Sequence, residues 1–420
     1  MKGIVPIIGW GILGLALLLS FGTDLMNTAQ GGAIDLRNRI TGVRLLVHGI
    51  DPYHYKWHEP EPDQYCDPYN NPNLSVSKTT ATPALLLLHL PLAVLPYRIA
   101  QFLWFFAQWG LLLGTGWLWL RQCATSRQRG LIALFLTGLT YTAAWRLHAE
   151  RGQAYVLLLF VFTGWLTMTL DSRQRHGFFT GFLAGFLATL RPPFLLLVPF
   201  LALHRRGQLL GAAAGLALGV ALPMLADVTC WSDYFSAMQA QSTYYRTDFA
   251  PHYQQAYPAR IEGIPTRDIL AFFVPIPFAD FSVHAFLRWL GFAPFPDWPV
   301  VLLAVIPFAV WLWLSRRQKA GSLLPALAAW LFLIDLFLPA FRNSYNDVLI
   351  LNLVAAGLLV AKGIPWAVWP CFLALPVGWA VYALLPEQPW LINLPTIFFT
   401  LGAILFLFPP NFRQAEARTP

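Results

Sequence analysis

The chain has 420 residues, of which 57% are hydrophobic and 11% are charged, and its formal net charge is +8. A soluble core could not bury this much apolar surface, so the composition indicates a protein that crosses a membrane many times. The basic residues lie mostly in short loops between apolar segments, which argues against a nucleic-acid-binding domain. The four cysteines have no paired spacing, so neither a zinc site nor a disulfide framework is indicated, although a Cys66–Cys230 bridge stays open.

Apolar segments long enough to cross a bilayer of about 30 Å recur along the whole chain. The first, from about Val5 to Phe21, lacks a small-residue cleavage signal, so we interpret it as a retained anchor. The sequence predicts twelve crossings, near residues 4 to 22, 100 to 120, 131 to 146, 153 to 170, 178 to 190, 193 to 203, 208 to 226, 298 to 315, 322 to 340, 348 to 361, 364 to 385 and 391 to 409.

Prolines interrupt the apolar pattern at three places. Stretches 83–97 and 269–291 each contain two internal prolines, and we interpret them as re-entrant or interfacial segments. The break at Arg191-Pro192-Pro193 predicts two half-length helices, over 178–190 and 193–203.

Basic residues alternate onto one side of these segments, which the positive-inside rule identifies as the cytoplasm. They are Arg121, Arg127, Arg129, Arg173, Arg175, Arg205, Arg206, Arg316, Arg317, Lys319, Lys362, Arg413 and Arg418. Nearly all acidic residues then fall on the external side. The sequence therefore predicts that residues 1–420 form one all-α polytopic domain in a cell membrane. Both termini are expected to be cytoplasmic, and the active site is expected to face outward.

The external segment 23–82 contains a helical pattern next to an acidic residue. Its apolar positions are Leu36, Ile40, Val43, Val47 and Ile50, and Arg37, Arg44 and His48 share another face. This spacing predicts an amphipathic helix over 36–48 that lies on the membrane surface. Asp35, at its start, is either an N-cap that accepts backbone N–H bonds or a base that takes the proton of an acceptor hydroxyl.

A second charged motif, W-R-L-H-A-E-R-G-Q over 145–153, occupies a predicted external turn. One interpretation is an interfacial charge cluster that only anchors the helices. The other is that Arg146 or Arg151 contacts a phosphate while Gln153 hydrogen-bonds a sugar hydroxyl. A guanidinium suits phosphate because its planar fork donates two parallel hydrogen bonds.

Two later positions carry charge where hydrocarbon makes it costly. Arg191 either reaches the lipid headgroups or binds a phosphate at the outer boundary. Asp335 lies inside a predicted span, seven residues before Arg342, and is expected to pair with an arginine or another polar group. The external segment 227–268 adds tyrosine, histidine and arginine side chains suited to sugar recognition.

Taken together, several short motifs resemble a known family. They are the helix with Asp35 that leads into H-G-I-D-P-Y at 48–53, Thr82-Pro83 followed by P-L-A-V-L-P at 91–96, Gly152-Gln153, and Leu190-Arg191-Pro192 before Arg205-Arg206. The sequence resembles GT-C class membrane glycosyltransferases that use polyprenyl-phosphate sugars, most specifically glycosyltransferase family 87, whose mannosyltransferases act in mycobacterial glycolipid synthesis. The chain departs from the family at Arg191, often lysine, at Tyr155, often asparagine, and at Tyr345-Asn346-Asp347, where a Trp-x-His pattern is common.

The resemblance implies a GT-C-like bundle and an inverting sugar transfer to a lipid or glycan acceptor. In that reading Asp35 is the base and Arg191, with Arg146 or Arg342, binds the phosphate. The sugar or acceptor contacts are Gln153, His48, His148 and Asn346. The resemblance implies no metal and no cofactor beyond the lipid-linked donor. The expected partners are that donor, the acceptor and membrane lipids, without nucleic acid.

Two other functions remain open on the sequence. A transporter or flippase for an anionic glycolipid would also need arginines in a cavity, but it predicts charges near the bilayer midplane and paired repeats. An external O-antigen ligase or polymerase would also be multispanning, with Arg and His outside. Asp35 on a helix directly after the first span favours the glycosyltransferase.

Overall fold

The computed structural model describes residues 4–67, 75–170, 177–247, 260–261, 264–265, 280–292, 296–338, 342–361, 364–384, 391 and 393–407. The helices in the first part of the chain are α1 (Ile4–Gly31), α2 (Ile34–Val47), α3 (Pro83–Leu87), α4 (Leu90–Ala93), α5 (Tyr97–Gln122), α6 (Ser126–Leu139), α7 (Ala143–Arg151), α8 (Tyr155–Leu170) and α9 (Gly177–Leu190). Those that follow are α10 (Leu197–His204), α11 (Leu209–Met224), α12 (Cys230–Thr247), α13 (Val283–Trp289), α14 (Asp297–Leu314), α15 (Ala320–Ile334), α16 (Ile350–Val360), α17 (Trp369–Leu384) and α18 (Leu394–Leu407).

Short 3₁₀ turns and one strand pair complete the described structure. The turns are Asp63–Tyr65, Pro192–Leu196, Arg206–Gln208, Asp335–Phe337, Ser344–Leu349 and Trp366–Val368. The two-residue strands β1 (Arg260–Ile261) and β2 (Ile264–Pro265) are antiparallel, with Arg260 opposite Pro265. The prediction of an all-α fold is thus confirmed in its main content.

The predicted count of about twelve crossings is not confirmed. Within the described ranges, four helical segments are long and apolar enough to span a membrane: Ile8–Gln30, Arg206–Met224, Asp297–Leu314 and Ala320–Phe337. α6 and α7 make a fifth if the pair, which is bent by 60°, is one broken span. Six further apolar helical segments of the described ranges have 10–17 residues, fewer than the about 20 that a straight crossing needs.

Two of the three proline-marked segments are described, and both contain the short, interrupted helices that the sequence predicts. α9 ends at Leu190, Arg191 is extended, and a 3₁₀ turn leads into α10, so two short helices flank the arginine. The stretch 83–97 contains only α3 and α4, of five and four residues, which are too short to cross a membrane. Of the stretch 269–291, residues 269–279 lie outside the described part, and α13 follows.

α9 and α11 pack with their backbones in direct contact, and glycines make this approach possible. A Cβ placed on Gly181 would lie 1.9 Å from the carbonyl oxygen of Gln208, and one on Gly215 would lie 2.1 Å from that of Phe182. Small residues of this kind let two apolar helices approach closely where side chains would separate them. The pair therefore fixes the position of α9 and of Arg191 at its end.

The segment around Asp35 differs from the prediction in two ways. α1 continues to Gly31, well beyond residue 22, so Asp24 belongs to this helix. α2 forms where the amphipathic pattern predicts a helix, but ten of its 14 residues are buried, including Arg37 and Arg44. These arginines donate to the carbonyl oxygens of Cys66 (3.1 Å) and Ala93 (2.9 Å). The polar face of α2 is therefore enclosed by the protein and is not turned to solvent, while its predicted position at the membrane surface stays a prediction.

Candidate active site

The carboxylate of Asp35 is the centre of a cluster of hydrogen bonds. Arg151 binds it with two nitrogens, Nε to Oδ2 at 2.6 Å and Nη2 to Oδ1 at 3.2 Å, and Gln153 donates from Nε2 to Oδ2 at 2.5 Å. The residue at the N-cap of α2 is Ala33, and the start of the helix has no side-chain cap. The N-cap interpretation of Asp35 is thus wrong, and the carboxylate instead joins α2 to the end of α7.

The backbone around Gly152 brings these residues together. Gly152 ends α7 in the left-handed conformation with φ of 67°, and the N–H of Gln153 bonds back to the carbonyl of His148 at 3.0 Å. This is a Schellman motif, in which glycine is favoured at the left-handed position because glycine has no Cβ. A Cβ on Gly152 would also lie 2.7 Å from that of Leu36, so the glycine lets α2 pack directly on the turn.

Arg39, which the sequence analysis did not single out, orients the amide of Gln153. Its Nη2 donates to Gln153 Oε1 at 2.5 Å, and its Nη1 donates to the carbonyls of Asp35 (3.0 Å) and Gly152 (3.1 Å). Because the Gln153 oxygen accepts from Arg39, its NH₂ group must point at Asp35. The only sequence signal for Arg39 is its position one helical turn after Asp35.

The charges around Asp35 are predominantly positive. Burial raises the pKa of the Asp35 carboxyl, but the charges of Arg151 and Arg39 and the Arg151 hydrogen bond outweigh burial and leave this pKa below its ordinary value. Burial lowers the pKa of nearby Lys78 to about 8, an effect that the Arg151 charge strengthens and Asp35 opposes. Asp35 is therefore ionised at neutral pH and surrounded by cations.

A second cluster forms around Arg191. The guanidinium donates from Nε to Asp335 Oδ1 at 3.1 Å, and its Nη2 also contacts that oxygen. Nη1 donates to the hydroxyl of Tyr155 at 2.6 Å, and the guanidinium carbon lies 4.5 Å from the centre of the Tyr155 ring. The expectation that Asp335 pairs with an arginine is thus confirmed.

The other side of Asp335 faces buried partners. Its Oδ2 accepts from Asn346 Nδ2 at 3.0 Å and lies 3.3 Å from Arg342 Nε. Arg342 Nη2 in turn donates to Asp347 Oδ1 at 2.7 Å, and Asp347 accepts from the hydroxyl of Thr396. Arg342 and Asn346 therefore belong to the Arg191 cluster as partners of its carboxylates.

Two tyrosines connect the two clusters. The ring centres of Tyr155 and Tyr345 are 5.7 Å apart, Tyr155 contacts Arg191, and the guanidinium carbon of Arg151 lies 5.8 Å from the Tyr345 ring centre. Asp35 and Arg191 are thus joined by one continuous network of side-chain contacts.

Side-chain exposure separates the arginines that a substrate could reach from those that it could not. Asp35, Arg151 and Arg191 keep 18%, 21% and 20% of their side-chain surface exposed, whereas Arg342 keeps 2% and Arg146 keeps 5%. Arg191 and Arg151 are thus partly accessible, whereas Arg342 is buried behind Asp335, the partner of Arg191.

Two predicted site residues have other roles. Arg146 pairs with Asp24 of α1, Nη1 to Oδ1 at 2.5 Å, so its charge is already balanced by a buried acid. His148 accepts the backbone N–H of Val156 at 3.0 Å and is fully buried, which makes it a cap for the start of α8. The prediction that these two bind substrate is not supported by their contacts.

His48 also lies away from the site. It follows Asp35 by thirteen residues along α2, which at 1.5 Å per residue places it about 20 Å away. Its Nδ1 contacts the carbonyl of Arg44 at 2.6 Å. The predicted contact of His48 with sugar or acceptor is therefore not supported by its contacts.

The remaining predictions are settled only in part. All four cysteines are free and buried, so the bridge between Cys66 and Cys230 does not form. Of the predicted external loop 227–268, residues 230–247 form α12, and most of the rest lies outside the described part. In the described ranges, no three His, Cys, Asp or Glu side chains form a group that could hold a metal ion.

The comparison with protein families gives one match. The model of glycosyltransferase family 87 matches residues 80–290 of the chain, which include Arg151, Gln153 and Arg191. No curated protein and no solved structure shows a significant match.

Proposed function

Because this chain belongs to glycosyltransferase family 87 and is therefore a glycosyltransferase, we propose that it moves a sugar from a polyprenyl-phosphate donor to a hydroxyl group of a lipid or glycan acceptor. The observation that carries the proposal is a continuous network of contacts between an ionised, partly exposed carboxylate at Asp35 and a partly exposed guanidinium at Arg191. A base and a cation on either side of a sugar are what a displacement at its anomeric carbon requires.

The proposed reaction is a single displacement with inversion. The bond between sugar C1 and the phosphate oxygen breaks, and its electron pair goes to the phosphate. The acceptor oxygen forms the new bond at the opposite face of C1, and its proton passes to Asp35 and then to water. No covalent enzyme intermediate is needed, because a lipid phosphate is already a competent leaving group.

In this mechanism Asp35 is the base, and its neighbours hold it in place. Arg151 and Gln153 bind mainly through Oδ2, while Oδ1 accepts only the longer 3.2 Å bond from Arg151. Oδ1 is thus the oxygen with a lone pair available for the acceptor hydroxyl. The low pKa of Asp35 keeps it ionised, so it takes the proton late, when the attacking oxygen has become strongly acidic.

Arg191 is proposed to bind the phosphate. It is partly exposed, and its guanidinium is aligned by Tyr155 and Asp335, so little side-chain freedom is lost when the donor binds. The charge that develops on the phosphate in the transition state then meets a cation already in place, which is the most effective form of electrostatic stabilisation.

Tyr155 and Tyr345 are proposed to contact the sugar itself. Their rings connect the Arg151–Asp35 pair to Arg191, so in this proposal they line the place of the transferred sugar. Aromatic faces provide apolar contact for the C–H face of a sugar, and both phenols can hydrogen-bond to its hydroxyls. The selectivity among hexoses, including mannose, then depends on which sugar hydroxyls can hydrogen-bond to these phenols.

The protein is a membrane protein, with several helices apolar enough to cross a bilayer. We propose that both termini are cytoplasmic and that the site faces the external side. The alternation of basic loops in the sequence supports this orientation.

The function is tested with purified protein in lipid nanodiscs, radiolabelled polyprenyl-phosphate hexoses or pentoses, and a membrane lipid extract as acceptor. Wild-type protein is expected to transfer label to the extract from one of these donors, and Asp35→Ala is expected to lose this transfer. The matched control is His48→Ala, on the same helix and about 20 Å away, which should keep wild-type turnover. Near-normal transfer by Asp35→Ala would refute the role of Asp35, and the absence of transfer from every donor would refute the donor class.

A further inference from the structure

In the Arg191 cluster two guanidiniums and two carboxylates alternate in a row, and one end of the row is accessible. From that end the order is Arg191, Asp335, Arg342 and Asp347, and each contacts the next at 3.3 Å or less. Two carboxylates and two guanidiniums give a formal net charge of zero. The accessible arginine is thus already neutralised by Asp335 before any phosphate binds.

Asp335 keeps partners even when Arg191 turns to a ligand. Its Oδ2 accepts from Asn346 and faces Arg342 Nε. That Nε and the neighbouring Nη1 are buried and have no hydrogen-bond partner within the described ranges, so Arg342 has donors to offer. A small movement of the carboxylate toward Arg342 would therefore satisfy it while Arg191 binds an anion.

We propose that Asp335 is a positioning residue that, through Arg191, weakens the binding of the phosphate product and so promotes its release. The proposal rests on the proposed function, in which Arg191 binds the phosphate of the donor. In addition, the fixed negative charge of Asp335 behind Arg191 lowers the affinity of this site for a phosphate with a second negative charge.

The chemistry of the transfer gives the reason. The donor is a phosphodiester with one negative charge, and the lipid product is a phosphomonoester. A phosphomonoester carries a charge of about −1.5 to −2 at pH 7, because its second pKa is about 6. An arginine without a carboxylate behind it would bind the product more tightly than the donor, and the enzyme would be inhibited by its own product. The Asp335 charge repels the added charge and offsets this preference.

The test compares the inhibition constants of two ligands that differ in this charge. They are the polyprenyl phosphate product and its methyl ester, a diester with a single negative charge. In wild-type protein the two constants are expected to agree within about threefold. In Asp335→Asn, which preserves shape but removes the charge, the product is expected to bind about tenfold more tightly relative to the ester.

Asp347→Asn is the matched control. It removes an equally buried carboxylate from the same row, but Asp347 contacts Arg342 and Thr396, one partner further from the accessible end. Its ratio of inhibition constants should stay within about threefold of wild type. A role of Asp335 in folding alone would weaken both ligands and leave their ratio unchanged, and an unchanged ratio in Asp335→Asn would overturn the inference.

Two further measurements separate the possible failures. If Arg191→Gln leaves both the donor KM and product inhibition unchanged, the proposed phosphate site is wrong. If Arg191→Gln weakens both but Asp335→Asn does not change the ratio, only the inference about Asp335 fails. If Asp335→Asn does not fold, wild-type protein decides: a product preference of tenfold or more over the methyl ester would overturn the inference, and a ratio near one would support it.

Discussion

Asp35 is both the proposed base and the charge partner of Arg151, and a paired substitution can separate these roles. Asp35→Asn removes the base, which typically costs 10²–10⁴ in rate, so kcat is expected to fall about 10³-fold. It also leaves the Arg151 charge without its carboxylate. A fully buried pair broken in this way costs about 3–5 kcal/mol, and since Arg151 is 21% exposed, we expect a loss of about 2 kcal/mol in unfolding free energy.

The second substitution, Arg151→Gln, restores the charge balance. The double variant Asp35→Asn/Arg151→Gln is expected to regain most of the thermal stability and to remain inactive, because an amide cannot accept the acceptor proton. Thermal unfolding in nanodiscs and label transfer at saturating donor measure the two effects separately. If the double variant recovers activity together with stability, Asp35 acts only as a charge partner and the proposed mechanism is refuted.

Three further predictions follow from the charges and the packing. Arg151→Gln should raise the pKa of Asp35, because it removes the cation that lowers it, so the acid limb of the kcat/KM profile should move to higher pH; an unmoved limb would show that the limb belongs to another group. The pKa of Lys78 is about 8 in the folded protein against an ordinary 10.5, so the charged side chain destabilises the folded state below pH 8, and the free energy of unfolding rises between pH 8 and 10.5. Lys78→Met should remove this rise in thermal scans. Gly181→Ala would place a Cβ 1.9 Å from the carbonyl oxygen just before α11 and should cost about 3 kcal/mol, whereas Gly164→Ala, with open space around it, should be neutral; equal melting temperatures would contradict the close packing of α9 on α11.

The sequence identified the polar residues of the site because charge next to hydrocarbon is costly. Asp35, Gln153 and Arg191 interrupt apolar segments, and each has a place in the site for which a polar group is needed. For Asp335 the same argument also predicted the kind of partner. The cost of burying a charge shows which residues carry chemistry, but the partner of each charged residue depends on how distant helices pack.

Helical geometry shows that Arg146 and Arg151, which the sequence analysis left as alternatives, cannot share one face of α7. Arg146 and Arg151 are five positions apart on α7, which at 3.6 residues per turn places them about 140° apart around the helix. They must therefore face different neighbours. Arg146 meets Asp24 of α1 and Arg151 meets Asp35 of α2, and only the end of α1, beyond the predicted crossing, supplied the acid that distinguishes them.

The burial of α2 and the role of Arg39 could not be predicted in this way. An amphipathic pattern shows that a helix has a polar face, but not whether water or protein covers that face. Here carbonyl oxygens that lie 20 to 50 residues further along the chain accept from the arginines of α2. Those contacts satisfy the guanidiniums without exposing them, which no local pattern records.

The short segment between α7 and α8 contacts both parts of the site. Gln153 donates to the carboxylate of Asp35, and the hydroxyl of Tyr155, two residues later, accepts from Arg191. Two residues of chain span at most about 7 Å, so the backbone positions from which these two contacts start are close together. In the proposed mechanism a shift of α7 relative to α8 would therefore move the contact of the base relative to that of the phosphate-binding arginine, and so change their alignment.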